Sequence, residues 1–448
     1  MNNQSSFLIN KSEIVERWDP YFYKPEYHDF RKSLKSIGCV FLKNYIDSWN
    51  RGDGPRDGYY SESLDDDRVP FIRVNNLKNH TIDKTNIKFI HRNIHNTKLK
   101  RTQVTSGDLI FAISGTKDNL GTLAIIPEDL KEANLNSALV RLDLSQELDK
   151  FFLCILFELN FIRKQIDIIG KGAAQNNLNN KEIGSIQIPK LSLAEQRRVI
   201  EIYNLAFNIF SNTNRKAKEK LASIDAYLLD KLGIFLPKED YSFTNRIFLK
   251  NFSEIVGEEW DPISISREKF KIEGGIYPNK KLFEIASIQK GQSITSSDVI
   301  SGSYPVIAGG KTSPYTHNRY NYKDETITVS ASGAYSGYIW YHDYPIFASD
   351  CSVIKVKDDL VLPLYLAELL KVKQKEVYYL QKGAGQPHVY PSDLAKLKIA
   401  IPTMPIQEEI ISHIQKIRDE AKRLEDEANH ALESAKQEIE KMILGEAV

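Results

Sequence analysis

A run of basic and amide side chains between Arg68 and Arg101 is the part of the sequence best suited to bind a phosphate backbone. The run contains nine Lys and Arg residues against one acid, Asp83, with three histidines and six asparagines among them. Lys and Arg release counterions when they bind phosphates, and Arg, Asn and His can reach base edges. Such a run also occurs as an ordinary solvated face. The mixture nevertheless favours DNA contact, although the net charge of the whole chain is only +1.

Polar loops extend the candidate surface into two regions of the chain. They cover residues 51–60, 73–80 and 114–119 in the first region, and residues 289–297, 309–320 and 332–337 in the second. Tyrosines are frequent in the second set, where they can stack on bases or simply belong to a core. The candidate DNA-binding residues of the first region are Arg51, Arg56, Arg73, Asn75, Asn76, Lys78, Arg92, Lys98, Lys100, Arg101, Ser114, Lys117 and Lys171. Those of the second region are Gln292, Lys311, Tyr315, Arg319, Ser332, Tyr335, Lys382 and Gln386.

Motifs that resemble catalytic or nucleotide-binding sequences each lack a required residue. Residues 308–312 resemble the end of a phosphate-binding loop, but its first glycine would fall at Pro305. Residues 19–22 resemble the catalytic tetrapeptide of amino-methyltransferases, but one proline is missing and the second copy, at 261–264, has no aromatic residue. No glycine-rich fingerprint follows a strand. We therefore predict a non-catalytic chain that binds no cofactor or metal itself.

Two short sequences occur twice and indicate a tandem duplication. Trp-Asp-Pro begins at Trp18 and again at Trp260, and Lys-Gly-Ala-x-Gln begins at Lys171 and again at Lys382. The second offset, 211 residues, continues without a gap through a long helical segment. The anchors are 153 residues apart in the first copy and 122 in the second, with little identity between them. The simplest alternative is an old duplication that drifted, but drift would not spare the anchors, so we predict two equivalent frames with different contents.

Apolar residues after Gln196 and Gln407 recur three and four positions apart, which is the pattern of a coiled-coil seam. A helix over residues 195–232 would be about 57 Å long. We expect the two helices to pair antiparallel and to separate the two domains. The alternative is that each helix packs on its own domain. The seams contain Val199, Tyr203, Ala206, Phe210 and Leu228 in the first copy, and Ile410, Ile414, Ile417, Ala421 and Ile439 in the second.

The segments between the anchors show a β-rich pattern with flanking helices. Predicted strands cover residues 69–74, 108–113, 124–126, 139–142, 326–331, 338–341 and 352–356, and predicted helices cover 151–165 and 363–379. The predicted fold class is therefore α+β. It consists of two variable α/β domains separated by two long antiparallel coiled-coil helices, with a pseudo-twofold internal repeat.

Composition is that of a globular protein of two to four domains, with 448 residues, 42% hydrophobic and 27% charged. Three scattered cysteines have no metal-ligand spacing and suit a reducing compartment. The first residues do not resemble a signal peptide, and no apolar run is long enough to cross a bilayer. We expect a cytoplasmic protein.

The duplicated anchors, each followed by Ile-Pro and a helix start containing Gln196 or Gln407, resemble those of type I DNA restriction-modification specificity subunits. The resemblance covers nearly the whole chain and is most specific at residues 171–201, at 381–411 and at the Trp-Asp-Pro sequences. It implies that each variable domain is a target-recognition domain for half of a bipartite, asymmetric DNA site. It also implies that the helices act as a ruler and dock two methyltransferase subunits, to which two motor-nuclease subunits can attach.

The resemblance assigns S-adenosylmethionine, ATP and Mg²⁺ to those partner subunits. Its implied boundaries are recognition domain 1 at 1–190, spacer helix 1 at 191–233, recognition domain 2 at 234–401 and spacer helix 2 at 402–448. Three alternatives stay open. They are a recognition subunit of a methylation-only or other phage-defence complex, a coiled-coil adaptor that binds no DNA, and a single-chain nuclease or methyltransferase.

Overall fold

The computed structural model describes residues 23–55, 67–170, 177–236, 271–357, 359–383 and 385–445. Both Trp-Asp-Pro sequences and the candidates Arg56 and Lys171 lie outside these ranges. Contacts divide the chain into unit 1, residues 1–214 and 426–448, and unit 2, residues 215–425. This division cuts both long helices near their middle and so differs from the predicted segments, whose boundaries stay predictions. No helix within the described ranges is long and apolar enough to cross a membrane.

Unit 1 is built on a four-stranded antiparallel sheet with the order β2-β11-β8-β9 and a mixed sheet with the order β6-β3-β10-β7. Strands β1 and β12 form a small pair, and β4 and β5 form a hairpin. The strands are β1 Val40–Phe41, β2 Ile46–Arg51, β3 Arg68–Ile72, β4 Leu77–Lys78, β5 Thr81–Ile82, β6 Lys88–His91, β7 Gln103–Val104, β8 Leu109–Ala112, β9 Leu123–Ile125, β10 Ala133–Leu135, β11 Leu139–Leu144 and β12 Gln187–Ile188. The helices are α1 Pro25–Ser36, α2 Arg92–Asn96, α3 Lys150–Leu156, α4 Asn160–Gly170 and α5 Asn180–Gly184.

Unit 2 repeats this plan with shorter connections. Its four-stranded antiparallel sheet has the order β14-β20-β17-β18, its mixed sheet has the order β16-β15-β19, and β13 pairs with β21. The strands are β13 Asn279–Lys281, β14 Ala286–Lys290, β15 Tyr304–Ile307, β16 Thr316–His317, β17 Thr326–Ser330, β18 Ile339–His342, β19 Phe347–Ala348, β20 Cys351–Val356 and β21 Lys398–Ala400. The short helices are α7 Leu282–Ile285, α8 Pro363–Val372, α9 Gln374–Tyr378 and α10 Pro391–Leu394.

The two four-stranded sheets have the same strand order, which confirms the predicted internal repeat. In both units the mixed sheet also contains one parallel pair, β3 with β10 and β15 with β19. The predicted α+β class is confirmed, and each predicted strand has a counterpart within one or two residues, as strand ends usually do.

The two predicted helices after β11 and β20 are each broken into two, which corrects the prediction of single helices over 151–165 and 363–379. In unit 1 the break has a clear partner, because Glu440 accepts hydrogen bonds from the backbone of Asn160 at 3.1 Å and of Phe161 at 2.9 Å. A carboxylate there satisfies free N–H groups at the start of α4. In unit 2 the buried Lys373 stands at the break and pairs with Glu376 at 2.5 Å.

Two long helices follow these domains, α6 Leu193–Leu232 and α11 Met404–Leu444. The first begins two residues before the predicted start. Each is fixed at its first turn by an equivalent glutamine. Gln196 accepts from the backbone of residue 149 at 2.8 Å and donates to the carbonyls of residues 147 and 191. Gln407 accepts from residue 362 at 2.8 Å and donates to the carbonyls of residues 360 and 402.

The long helices pair antiparallel within each unit, as predicted. In unit 1 the first half of α6 shares a core with the second half of α11, and in unit 2 the last half of α6 shares a core with the first half of α11. In unit 2, Lys220 pairs with Glu420 at 2.7 Å, and the rings of Tyr227 and His413 stack with centroids 4.0 Å apart. Both pairs of residue numbers add to the same value, which indicates a regular antiparallel register between these parts of α6 and α11 in unit 2.

Candidate nucleic-acid interface

A glycine directly follows the first strand of each four-stranded sheet, Gly52 after β2 and Gly291 after β14. A Cβ atom at Gly52 would lie 2.1 Å from the carbonyl oxygen of Asn136, and one at Gly291 would lie 2.2 Å from that of Ser349. Only glycine allows such close approach of two backbones. Both loops therefore start at the same structural position. The sequence signal for this equivalence is a basic residue followed by a glycine at the end of a strand, which occurs in both copies.

Two predicted candidates flank these glycines. Arg51 is exposed, and its Nε donates to the carbonyl of Ser137 at 3.0 Å. Gln292 is exposed, and its backbone N–H donates to the carbonyl of Ala348 at 2.9 Å. The residue that follows the glycine is Asp53 in unit 1 and Gln292 in unit 2, so the equivalent loops present different side chains there.

A second equivalent loop follows β8 in unit 1 and β17 in unit 2, and it begins at a predicted Ser-Gly pair. Ser114 forms a β-bridge with Asn177, and Ser332 forms one with His388. His388 also bridges Lys382, so the Lys-Gly-Ala-x-Gln segment of unit 2 lies beside this loop. In unit 2, Lys382 of the duplicated anchor is therefore connected through His388 to the candidate loop.

Residues 73–86 of unit 1, here called the recognition segment, form one hydrogen-bonded body. The Asn76 side chain accepts from the backbone N–H of Arg73 and donates to the carbonyl of Asp83, both at 3.0 Å. The Arg73 guanidinium donates to the carbonyl of Asn86 at 3.0 Å. Asn76 is buried and both ends of its amide are used, which corrects its assignment to a base edge. Asn75 is exposed, and Arg73 is half-buried.

Three of the remaining basic candidates of unit 1 form ion pairs with acidic side chains. Lys78 pairs with Asp83 at 2.6 Å, and this hydrogen bond, together with those from Thr85, lowers the pKa of the Asp83 carboxyl well below its usual range. Arg92 holds Glu132 through both carboxylate oxygens, at 2.8 and 3.1 Å, and Lys117 pairs with Asp167 at 3.3 Å. Exposed basic side chains are Lys98, Lys100 and Arg101.

The candidates of unit 2 contact tyrosine rings and acidic side chains. The Lys311 ammonium lies 4.7 Å from the ring centroid of Tyr335 and 5.5 Å from that of Tyr338, which is cation–π geometry. Ser332 donates to the Asp350 carboxylate. Lys382 pairs with Asp393 at 3.2 Å. Exposed candidates of this unit are Gln292, Lys311, Tyr315, Arg319, Tyr335 and Gln386. Asp350 was not predicted, because a lone acid after a strand carries no sequence signal.

The described residues contain no cluster of three or more His, Cys, Asp or Glu side chains that could hold a metal ion. Burial raises the pKa of the Cys39 thiol to about 11 and that of Cys351 to about 12. A thiol with a raised pKa is a poor nucleophile at neutral pH.

Comparisons with known proteins agree with this architecture. Residues 277–434 match the model of the type I restriction modification DNA specificity domain. The type I restriction enzyme StySPI specificity subunit of Salmonella potsdam is 21% identical over 383 residues, which are 82% of this chain and 79% of that protein. A putative type I specificity subunit of Mycoplasma pneumoniae is 26% identical over 232 residues, or 50% of this chain and 76% of that relative.

The fold is also found in a solved structure of the type I R-M system that addresses complex assembly and conformational transition. The TM-score is 0.50 at 16% identity, with 91% of this chain and 97% of that chain covered. Residues 277–434 therefore carry a type I restriction modification DNA specificity domain, and the relatives aligned along the chain are type I specificity subunits.

Proposed function

We propose that this chain is the DNA-recognition subunit of a type I restriction-modification complex and is not itself an enzyme. The observation that carries the proposal is that two units with the same sheet order present loops of different chemistry from equivalent strand ends. A duplicated frame with unlike loops suits a site of two unlike half-sites separated by a non-specific gap.

The two units would use different contacts. In unit 1, Arg73 and Asn75 are proposed to read base edges, because a guanidinium donates to base-edge acceptors and an amide both donates and accepts there. Lys98, Lys100 and Arg101 are exposed and are proposed to contact phosphates, which position a protein without specifying sequence. In unit 2, Tyr335 and Lys311 are proposed to act together at the second half-site.

The paired long helices are proposed to set the gap between the half-sites and to dock two methyltransferase subunits. Large apolar side chains on α6 support a docking role, since Leu205 is 69% and Ile209 is 54% exposed. Exposed apolar groups of this size often mark protein contacts. S-adenosylmethionine, ATP and Mg²⁺ would then be bound by the methyltransferase subunits and by two restriction subunits where these are present.

A domain exchange tests the proposal. Residues 21–170 are replaced by the equivalent residues of a relative, and methylome sequencing of a host with and without the gene identifies the modified site. We expect one half-site to change while the other half and the gap stay the same. The reciprocal control replaces residues 271–381 and should change only the other half-site. Alteration of both half-sites by either exchange would contradict separate reading.

A salt-dependent DNA titration tests the alternatives to this function. We expect the chain with its methyltransferase partners to bind duplex DNA with an affinity that falls steeply as salt rises. Absence of DNA binding would favour the protein-only adaptor. Methyl transfer or cleavage by the isolated chain would overturn the non-catalytic assignment.

A further inference from the structure

The hairpin of β4 and β5 belongs to the recognition segment of unit 1 and has no matching element among the described residues of unit 2. Its turn contains Asn79 with φ of 50° and His80 with φ of 61°. These left-handed conformations are strained for residues other than glycine, although Asn and His tolerate them better than most. A strained turn persists when surrounding contacts fix it, and the contacts of His80 do so.

The His80 side chain is only 5% exposed and is inserted into the body of unit 1. Its ring packs edge-on against Phe151 and Tyr203, with both centroids 5.4 Å away. The carbonyl of His80 also accepts a hydrogen bond from the backbone of Ile125 in β9 at 2.8 Å. The turn is therefore held from both its side chain and its backbone.

Polar contacts extend from this ring to both long helices. The His80 Nε2 lies 2.8 Å from the Tyr203 hydroxyl of α6 and 3.2 Å from Glu158, and the same hydroxyl donates to Glu158 at 3.0 Å. Lys436 of α11 pairs with Glu158 at 3.0 Å. Burial lowers the pKa of His80, an effect that Glu158 partly offsets. In the neutral tautomer with the proton on Nε2, the imidazole N–H donates a hydrogen bond to the Tyr203 hydroxyl, which in turn donates to Glu158.

Unit 2 has a different residue at the corresponding place. The offset of 211 that aligns Gln196 with Gln407 aligns Tyr203 with Ile414, which is buried in the apolar core of unit 2. The polar contact that Tyr203 makes in unit 1 therefore has no counterpart at the equivalent position, Ile414, in unit 2.

We propose that His80 is a positioning residue for half-site reading by unit 1. Through Tyr203 and Glu158 it fixes the recognition segment on the paired helices, and the hydrogen bonds within that segment carry the constraint to Arg73 and Asn75. This inference rests on the proposed DNA recognition. It predicts that breaking the network reduces discrimination at one half-site only.

The test uses the full chain with its methyltransferase partners and three duplexes. These carry the cognate site, the site with the unit 1 half scrambled, and the site with the unit 2 half scrambled. Tyr203→Phe removes the hydroxyl and keeps the ring. The matched control is Tyr365→Phe in unit 2, where a buried hydroxyl donates to the carbonyl of Ala400 in β21 at 2.8 Å.

We expect Tyr203→Phe to reduce discrimination at the unit 1 half-site about threefold to tenfold and to leave the unit 2 half-site unchanged. His80→Asn, which keeps a residue tolerant of the left-handed turn, should have the same effect. Tyr365→Phe should alter neither. Equal effects of Tyr203→Phe on both half-sites, or no effect on either, would overturn the positioning role. Absence of any discrimination by the wild-type complex would instead overturn the proposed function and this inference with it.

Discussion

Unit 1 and unit 2 share a backbone plan but differ in how their candidate loops are held. The shared features are bonds to the backbone. Gln196 and Gln407 make the same three contacts, and Gly52 and Gly291 occupy the same close approach. The differing features are bonds between side chains, such as Arg92 with Glu132 in unit 1 and Lys311 over Tyr335 in unit 2. Contacts to the backbone do not depend on loop sequence, so the frame can stay constant while the loops change.

The glutamine contacts give the largest expected effect and should act equally in the two units. Both side chains are buried, and Gln→Ala leaves buried N–H and C=O groups without a partner. We expect Gln196→Ala and Gln407→Ala each to lower the free energy of unfolding of their own unit by about 3 kcal/mol. Hydrogen exchange of amides in each unit separates the two effects.

Gln415→Ala is the matched control, because its amide is exposed and donates to Asp419 within α11. Its effect should stay within about 0.5 kcal/mol. A loss from Gln196→Ala that differed from that of Gln407→Ala by more than about 2 kcal/mol would show that the frames are not energetically equivalent.

Much of the frame was predictable because it depends on local pattern. The apolar stripes of α6 and α11 and the gapless offset of 211 predicted both helices and their antiparallel pairing. The helix breaks near Glu158 and Lys373 were not predictable, because a partner distant in sequence, such as Glu440, satisfies the second helix. Propensity alone favours one continuous helix there.

The stability of unit 2 should depend on pH because of a buried histidine, and the expected effect is of intermediate size. Burial lowers the pKa of His342 to about 4, with Lys371 acting in the same direction and Asp343 opposing it. Since the unfolded pKa is about 6.5, the unfolded chain binds the proton first as pH falls. The stabilisation is therefore complete above pH 6.5 and is lost between pH 6.5 and 4. We expect unit 2 to lose about 2 kcal/mol between pH 7 and pH 5.

His342→Gln tests this by removing the titration while keeping a polar group near Thr328, whose hydroxyl lies 2.9 Å from the imidazole. The pH dependence of amide exchange in unit 2 should become flatter by the amount that His342 contributes. The pKa of His80 in unit 1 is also lowered, and His342→Gln leaves that residue in place. The pH dependence of unit 1 in the same variant therefore serves as the internal reference. An unchanged slope in unit 2 would assign the acid sensitivity to other groups.

The candidate site was less predictable than the frame. Composition identified the basic run, and its exposed members Lys98, Lys100 and Arg101 stay predictions as phosphate contacts. Composition could not distinguish Asn75 from Asn76, because neighbouring amides have the same chemistry and only the turn decides which one is buried. Nor could it identify His80, whose role depends on Tyr203, a residue 123 positions away.

The smallest expected effects are those of single lysine substitutions, one in a candidate loop of each unit. Lys100 is exposed next to Arg101, whose carbonyl accepts from Asn50, whereas Lys311 lies over the rings of Tyr335 and Tyr338. If Lys100 contacts one phosphate, Lys100→Ala should reduce the salt slope by about 0.9 and weaken binding to all sequences roughly fivefold at 0.15 M salt. Lys311→Ala should instead alter preference at the unit 2 half-site, because it releases Tyr335. Anisotropy titrations on cognate and half-scrambled duplexes at several salt concentrations measure both quantities.

A full salt slope in Lys100→Ala would mean that this part of the basic run is a solvated face. The phosphate contacts of unit 1 should then be sought at Arg51 and the loop after Gly52.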